Sequence, residues 1–232
     1  MIECKPLWII VGGRRRLGRA LAEDLAADHR LALTSSGPWQ EEMWASGHHT
    51  LSWDARDSGL AERMEGDLDR LVRDQGPLEG AVFAAGDFPE APWGTWTAEE
   101  LAATWALNLS FPLLAAQAIS HHLQEGACLQ FLLDTAIHRP LMKRMPYSAA
   151  KSALAALVPG LAKTLGPKIR VVGHALGTVL PAEGFDPAAL ARQSLTGQNG
   201  EPADLARAIR YAADSPYLTG EILTLDGGAR WA

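Results

Sequence analysis

Tyr147 and Lys151 stand four residues apart in Pro146-Tyr147-Ser148-Ala149-Ala150-Lys151, a spacing that puts both side chains on one face of a helix. A phenol titrates near ~10 and is a poor acid–base group at neutral pH. A neighbouring ammonium favours the phenolate and lowers that value. A tyrosine so placed beside a hydride donor can deliver the proton that accompanies hydride transfer. Tyr-x-x-x-Lys alone more often marks two surface residues, so the pair gains meaning only alongside a second motif.

That motif lies near the start of the chain, in Val11-Gly12-Gly13-Arg14-Arg15-Arg16-Leu17-Gly18. An apolar run precedes it and a helix-period stretch follows. Backbone N–H groups and a helix N-terminus would then face a pyrophosphate. Gly12 allows the turn and Gly18 allows close helix–strand packing; the two are six apart, so the strict G-x-G-x-x-G spacing is absent. The second apolar run ends in Thr34-Ser35-Ser36, with no acid until Glu41. An enzyme using NAD often places Asp or Glu there for the ribose 2′-hydroxyl. Hydroxyls at this point and Arg14 or Arg15 nearby suit a 2′-phosphate better, which favours NADPH.

These residues need elements to position them. Apolar runs at Leu7–Val11, Arg30–Thr34, His49–Trp53, Gly80–Ala85, Ala127–Leu133, Ile169–Val172 and Glu221–Leu225 read as strands. Helix-period stretches separate them: from Leu17, over Ser58–Gln75 with Gly76-Pro77 as its stop, from Thr97, over Phe111 to about His122, over Tyr147–Leu165 and over Pro202–Ala213. Continuous apolar strands alternating with helices imply a parallel sheet covered on both faces. The expected fold is a single-domain α/β Rossmann-type doubly wound sheet of about seven strands spanning residues 1–232. The Gly/Pro-punctuated segment 173–200 is the candidate substrate lid, and Pro159-Gly160 is expected to kink its helix.

Composition sets outer bounds. Of 232 residues, 47% are hydrophobic and 21% charged, enough for a sizeable core. The net charge of −6 argues against a nucleic-acid coat or an anionic membrane as partner. Two cysteines, Cys4 and Cys128, exclude a disulfide scaffold and a Cys-rich zinc site. The apolar run at Leu7–Val11 is too short to cross a bilayer and precedes its arginines, the wrong order for a secretory signal. A cytoplasmic protein acting on a small molecule is expected.

Over essentially its whole length the chain resembles the short-chain dehydrogenase/reductase family. The matching pieces are Gly12-x5-Gly18, Asp54, Ala84-Ala85-Gly86, Asn108, Tyr147-x3-Lys151, Leu218-Thr219-Gly220 and Asp226-Gly227-Gly228. Val11 replaces the family's usual Thr, Ala84 an Asn, and Leu176-Gly177 the typical Pro-Gly. The resemblance implies a nicotinamide cofactor contacted by Gly12, Arg14, Arg15, Arg16, Leu17, Gly18, Ser35, Asp54, Ala84, Ala85, Gly86, Gly177 and Val179. Asp54 would meet the adenine. Lys151 would hold the nicotinamide ribose and lower the Tyr147 pKa, and Asn108 would order a water in the proton relay. The family also implies a homodimer or homotetramer, packed through the helices near Phe111 and Tyr147.

One departure is more informative. The family's catalytic Ser stands about thirteen residues before the Tyr, and here that position is Asp134. Arg16 replaces the second glycine of the loop, and Phe88 follows the fourth strand. These three features resemble the pteridine reductase branch, which includes dihydrofolate and dihydromonapterin reductases. A flat, polar heterocycle wants an aromatic face such as Phe88 on one side. A carboxyl group can bond amidine-like nitrogens or relay a proton. The resemblance thus implies NADPH-dependent reduction of a dihydropterin, with Tyr147 and Asp134 delivering the proton and Arg16 lying between pyrophosphate and ring. The alternatives are a carbonyl reductase of 3-oxoacyl or small ketone substrates, and a non-catalytic nucleotide-binding sensor. His138 and His174, near the expected mouth, read as structural.

Overall fold

The computed structural model describes residues 5–37, 39, 47–181 and 184–232; Cys4 and Glu41 lie outside them. Among these residues seven strands form one parallel sheet in the order β3-β2-β1-β4-β5-β6-β7. They are β1 (Leu7–Val11), β2 (Arg30–Ser35), β3 (His49–Ser52), β4 (Leu78–Phe83), β5 (Leu123–Asp134), β6 (Arg170–Leu176) and β7 (Ile222–Leu225). The helices are α1 (Arg16–Leu25), α2 (Leu60–Gln75), α3 (Ala98–Trp105), α4 (Phe111–Ser120), α5 (Met145–Leu165), α6 (Pro187–Ala191) and α7 (Pro202–Ala213).

The continuous apolar run of β1 follows from burial on both faces. Leu7, Ile9 and Val11 join the core that α2, α4 and α5 build on one side. Trp8 and Ile10 join the core of α1 and α7 on the other. All five residues are at most 3% exposed. The chain leaves β1 toward β2 and β3 on one side and returns through β4 to β7 on the other. This reversal opens a crevice beyond the carboxyl ends of β1 and β4. Turn chemistry agrees with the sequence: α2 stops at Gly76, whose φ is +92°, and α3 begins with a capping box between Thr97 and Glu100.

Several boundaries differ from expectation. β5 is longer than its apolar core at both ends, and β4 ends at Phe83, so Ala84 and Ala85 begin the loop. The lid expected over 173–200 starts too early, because residues 173–176 complete the buried strand β6; the remaining segment carries the short helix α6. Pro159-Gly160, where a kink is expected, falls inside α5, which is assigned as helix through both residues. They lie on its exposed flank, so the missing amide removes one hydrogen bond without disturbing the core. His174 is not at the mouth: it is fully buried and pairs through Nε2 with Gln130 Oε1 at 2.8 Å.

Residues Ala98–Ser120, 23 in all, are long and apolar enough to cross a membrane by length and composition. In the fold they form α3, a π-helical turn (Ala106–Ser110) and α4, packed partly against α2 and α5. Leu114 and Trp105 remain 44% and 45% exposed on them.

Candidate active site

The glycine loop is built by close approach. Gly12 has φ +89°, and a Cβ there would stand 2.6 Å from the Ala85 backbone. A Cβ on Gly18 would collide with the Gly12 carbonyl, so only glycine lets α1 start so near the strand. Thr34 Oγ1 accepts from the Gly12 amide at 3.0 Å, tying the loop to β2. The first turn of α1 has no acidic residue and no side-chain cap. Its amides and dipole are therefore available to an anion. The Arg14 guanidinium crosses the end of β2 where a Cβ on Gly37 would lie, and the Ser35 hydroxyl accepts from the Gly37 amide at 3.2 Å. These residues fit a dinucleotide carrying an additional phosphate, as the sequence led us to expect.

Two of the residues expected at the cofactor are held by contacts within the protein. Arg16 takes the left-handed conformation, φ +47°, that a glycine would hold without cost. Its guanidinium donates to the carbonyl of Leu180 at 3.0 Å and to that of Pro181. Arg16 therefore ties the glycine loop to the segment after β6, the segment that also holds Gly177 and the buried Val179. Asp54, expected at the adenine, is held by Arg56 in a two-point ion pair with contacts of 2.7 and 3.0 Å.

The end of β5 and the first turns of α5 bring the reactive groups together. Tyr147 Oη donates to Asp134 Oδ2 at 2.9 Å. Asp134 Oδ1 accepts from the Ala136 amide at 2.6 Å. Each carboxyl oxygen thus accepts one hydrogen bond, which fixes the orientation of the group beside the phenol. Lys151, one turn further along α5, is 7% exposed and donates to the Leu132 carbonyl at 3.0 Å.

Burial governs their protonation. Desolvation raises the Asp134 pKa above the usual carboxylate value despite the Ala136 amide and Tyr147 hydroxyl. It lowers Lys151 to about 8, against the opposing pull of Asp134 and Asp87. Tyr147 was expected to be lowered by Lys151. It is instead raised well above 10, first by burial and then by the Asp134 carboxylate. The Lys151 ammonium stands 5.8 Å from the phenol ring centre and is engaged elsewhere. In this arrangement the phenol keeps its proton and donates a hydrogen bond to a carboxyl group whose own pKa burial raises.

Asn108 sits fully buried in the π-helical turn between α3 and α4, the type of local widening that often marks a functional position. Its Nδ2 donates to Asp87 Oδ1 and to the Thr104 carbonyl, while Oδ1 has no protein partner. A Cβ on Gly86 would stand 2.8 Å from that oxygen. A side chain at residue 86 would therefore occupy the space between the Asn108 oxygen and the Lys151 ammonium. Phe88 stands beside Tyr147 in an edge-to-face contact, with ring centres 4.8 Å apart, and is 40% exposed.

Sequence reasoning missed Asp87 and Arg144. Asp87, next to Phe88, anchors Asn108. The Arg144 guanidinium lies 3.8 Å over the Phe88 ring. Its spacing three residues before Tyr147 was the available signal, but Lys143-Arg144 reads as a solvated charge pair.

A dinucleotide-type crevice with a buried Tyr–Lys–Asn set at its rim defines a class of nicotinamide-dependent oxidoreductases. The enoyl-(acyl carrier protein) reductase family profile matches residues 13–230, and the chain belongs to this family of short-chain dehydrogenases/reductases. A carbonyl reductase family member 4 of Danio rerio is 27% identical, covering 96% of this chain and 97% of the relative. The crystal structure of a dehydrogenase/reductase from Sinorhizobium meliloti superposes with a TM-score of 0.85 at 30% identity, covering 97% of this chain and 95% of the other. A blue fluorescent protein from a metagenomic library, solved in complex with NADPH, superposes with a TM-score of 0.84 at 25% identity, covering 97% and 98%.

Proposed function

We propose that this short-chain oxidoreductase reduces the C=N bond of a dihydropterin with NADPH. The observation that carries the reading is the 2.9 Å hydrogen bond from Tyr147 to Asp134. It puts a carboxyl group at the position where the family resemblance expects a serine hydroxyl, with Phe88 alongside as an aromatic wall. NADPH, when bound, supplies the hydride to the carbon of the C=N bond. Tyr147 gives its proton to the nitrogen as negative charge develops there, and Asp134 returns a proton to the phenol. Lys151 holds the nicotinamide ribose and Asn108 orders the relay water. Gly12, Gly18, Leu17, Ala84 to Gly86, Gly177 and Val179 would hold the cofactor, with Asp54 at the adenine.

The carbonyl reductase in Danio rerio and the family description favour a second reading, reduction of a ketone or 3-oxoacyl thioester. A panel of dihydrobiopterin, dihydromonapterin, dihydrofolate and an acetoacetyl thioester, followed by loss of NADPH absorbance, separates the two. Turnover confined to the thioester would replace the first reading with the second. The half-exposed Leu114 and Trp105 support a homodimer or homotetramer packed through the helices near Phe111 and Tyr147.

NADPH is expected to bind more than about tenfold tighter than NADH, since one charge-assisted contact to a phosphate contributes roughly 1.5–3 kcal/mol. Arg14→Ala should erase most of that preference in fluorescence titrations. Equal dissociation constants for the two cofactors in the wild type would contradict the assignment of Arg14.

Phe88→Ala is expected to raise the pterin KM several-fold, because stacking on an aromatic ring contributes roughly 1–3 kcal/mol. NADPH affinity, measured in the same titration, should stay unchanged. An unaltered KM would remove Phe88 from the substrate wall.

A further inference from the structure

Arg144 immediately precedes α5, the helix that carries Tyr147 and Lys151, and its side chain is only 10% exposed. It donates through one guanidinium nitrogen to the Phe88 carbonyl and through the other to Glu90 Oε2 at 2.6 Å. The same planar cation lies 3.8 Å above the Phe88 ring, a cation–π contact in a desolvated setting. Phe185, from the segment after β6, approaches it from elsewhere at 5.9 Å. Next to it, the Ala91 amide donates to the Lys143 carbonyl at 2.9 Å. One guanidinium therefore joins the loop 84–97, the catalytic helix and the segment beyond β6.

We propose that Arg144 is a positioning residue that determines substrate specificity, clamping the loop 84–97 to α5 and thereby fixing the Phe88 ring against Tyr147. The contacts explain why an arginine suits the position. A fork with two donors and a flat face can hold a carbonyl, a carboxylate and a ring at once, which a lysine ammonium cannot. The clamp also orients the reactive pair, because Phe88 meets Tyr147 edge to face. With one face of Phe88 covered by Arg144, a flat substrate has the remaining exposed ring surface beside the phenol, and its depth in the crevice follows from where that ring is held.

The charge has a second consequence. Arg144 and Lys151 are the cations that face Asp134, with Tyr147 as its hydrogen-bond donor. Arg144, Asp134 and Asp87 are the charges that face Tyr147, and Glu90 is the carboxylate paired with Arg144. Both cations favour the ionised carboxyl group of Asp134. Removing Arg144 therefore raises the Asp134 pKa further and moves the alkaline limb of kcat to higher pH.

The inference rests on Tyr147 acting as the proton donor of a reductase, and not on the substrate being a pterin. The test uses dihydrobiopterin or an acetoacetyl thioester, whichever the wild type reduces faster. Arg144→Met keeps the stem and loses the fork. It is expected to raise KM by about tenfold, as loss of a charge-assisted contact implies, with a smaller change in kcat and an upward shift of the alkaline limb. Amide exchange over residues 84–97 should accelerate in the NADPH-bound protein. Arg144→Lys keeps the charge without the fork, so it should restore the pH limb but not KM. Glu90→Gln, on a half-exposed side chain, should raise KM by a few-fold with kcat and NADPH affinity unchanged. An unchanged KM in Glu90→Gln together with unchanged exchange in Arg144→Met overturns the proposal, as does Arg144→Lys behaving like wild type in KM. If the wild type reduces neither substrate, the reductase reading fails, while the exchange comparison still decides whether Arg144 holds the loop.

Discussion

Tyr147→Phe is expected to lower kcat by about two orders of magnitude or more while leaving NADPH affinity close to that of the wild type. The ring and its contact with Phe88 are kept, so the crevice retains its shape. Only the hydroxyl that bonds Asp134 is lost. Because burial and the neighbouring carboxyl group hold the phenol pKa well above 10, Tyr147 carries its proton across the whole working pH range. The missing proton therefore shows as a loss of rate rather than as a displaced optimum. The check is steady-state turnover beside a fluorescence titration with NADPH. A variant that retains most of its kcat would mean that Asp134 or water delivers the proton alone.

Asp134→Ser is the second large effect. Under the pterin reading it should lower pterin turnover by at least about tenfold and change its pH dependence. The sign follows from the raised carboxyl pKa. The protonated acid that refills Tyr147 is populated below that pKa and lost as pH rises through it. The wild-type rate should therefore decline toward higher pH, and the serine variant should lose this limb. Under the carbonyl reading a serine at this position is competent, and activity on a ketone should hold or improve. The pH profile of kcat for both proteins on one dihydropterin distinguishes these outcomes; superimposable profiles would exclude Asp134 from the relay.

Much of the fold was legible because burial on both faces of the sheet leaves a local signature. Leu7–Val11 reads as a strand in the sequence and is one in the structure with the same limits. β4 and β5 run past the apolar stretches that announce them, through Glu79, Glu125 and Asp134; Asp134 is kept in the sheet by pairing with Leu176 of β6. Tyr147 and Lys151 could be named from their spacing, and Asp134, Asn108 and Phe88 only through the family resemblance; the chain brings them to one end of the sheet. The direction of the Tyr147 shift could not be read. It depends on which of Asp134 and Lys151 lies against the hydroxyl, a distance that a four-residue spacing does not specify. Arg16 shows the same limit: its sequence position fits the glycine loop, but its guanidinium is directed by two carbonyls more than 160 residues away. Arg144 escaped notice because a buried cation and a solvated one look identical in sequence until a partner such as Phe88 is placed.

The central claim is substrate choice, and competition tests it most directly. The wild-type protein is supplied with limiting NADPH and equal concentrations of a dihydropterin and an acetoacetyl thioester, and both reduced products are quantified. The Tyr147–Asp134 relay beside Phe88 predicts the tetrahydropterin in large excess. Hydroxyacyl thioester as the dominant product, with the pterin left unreduced, would contradict it.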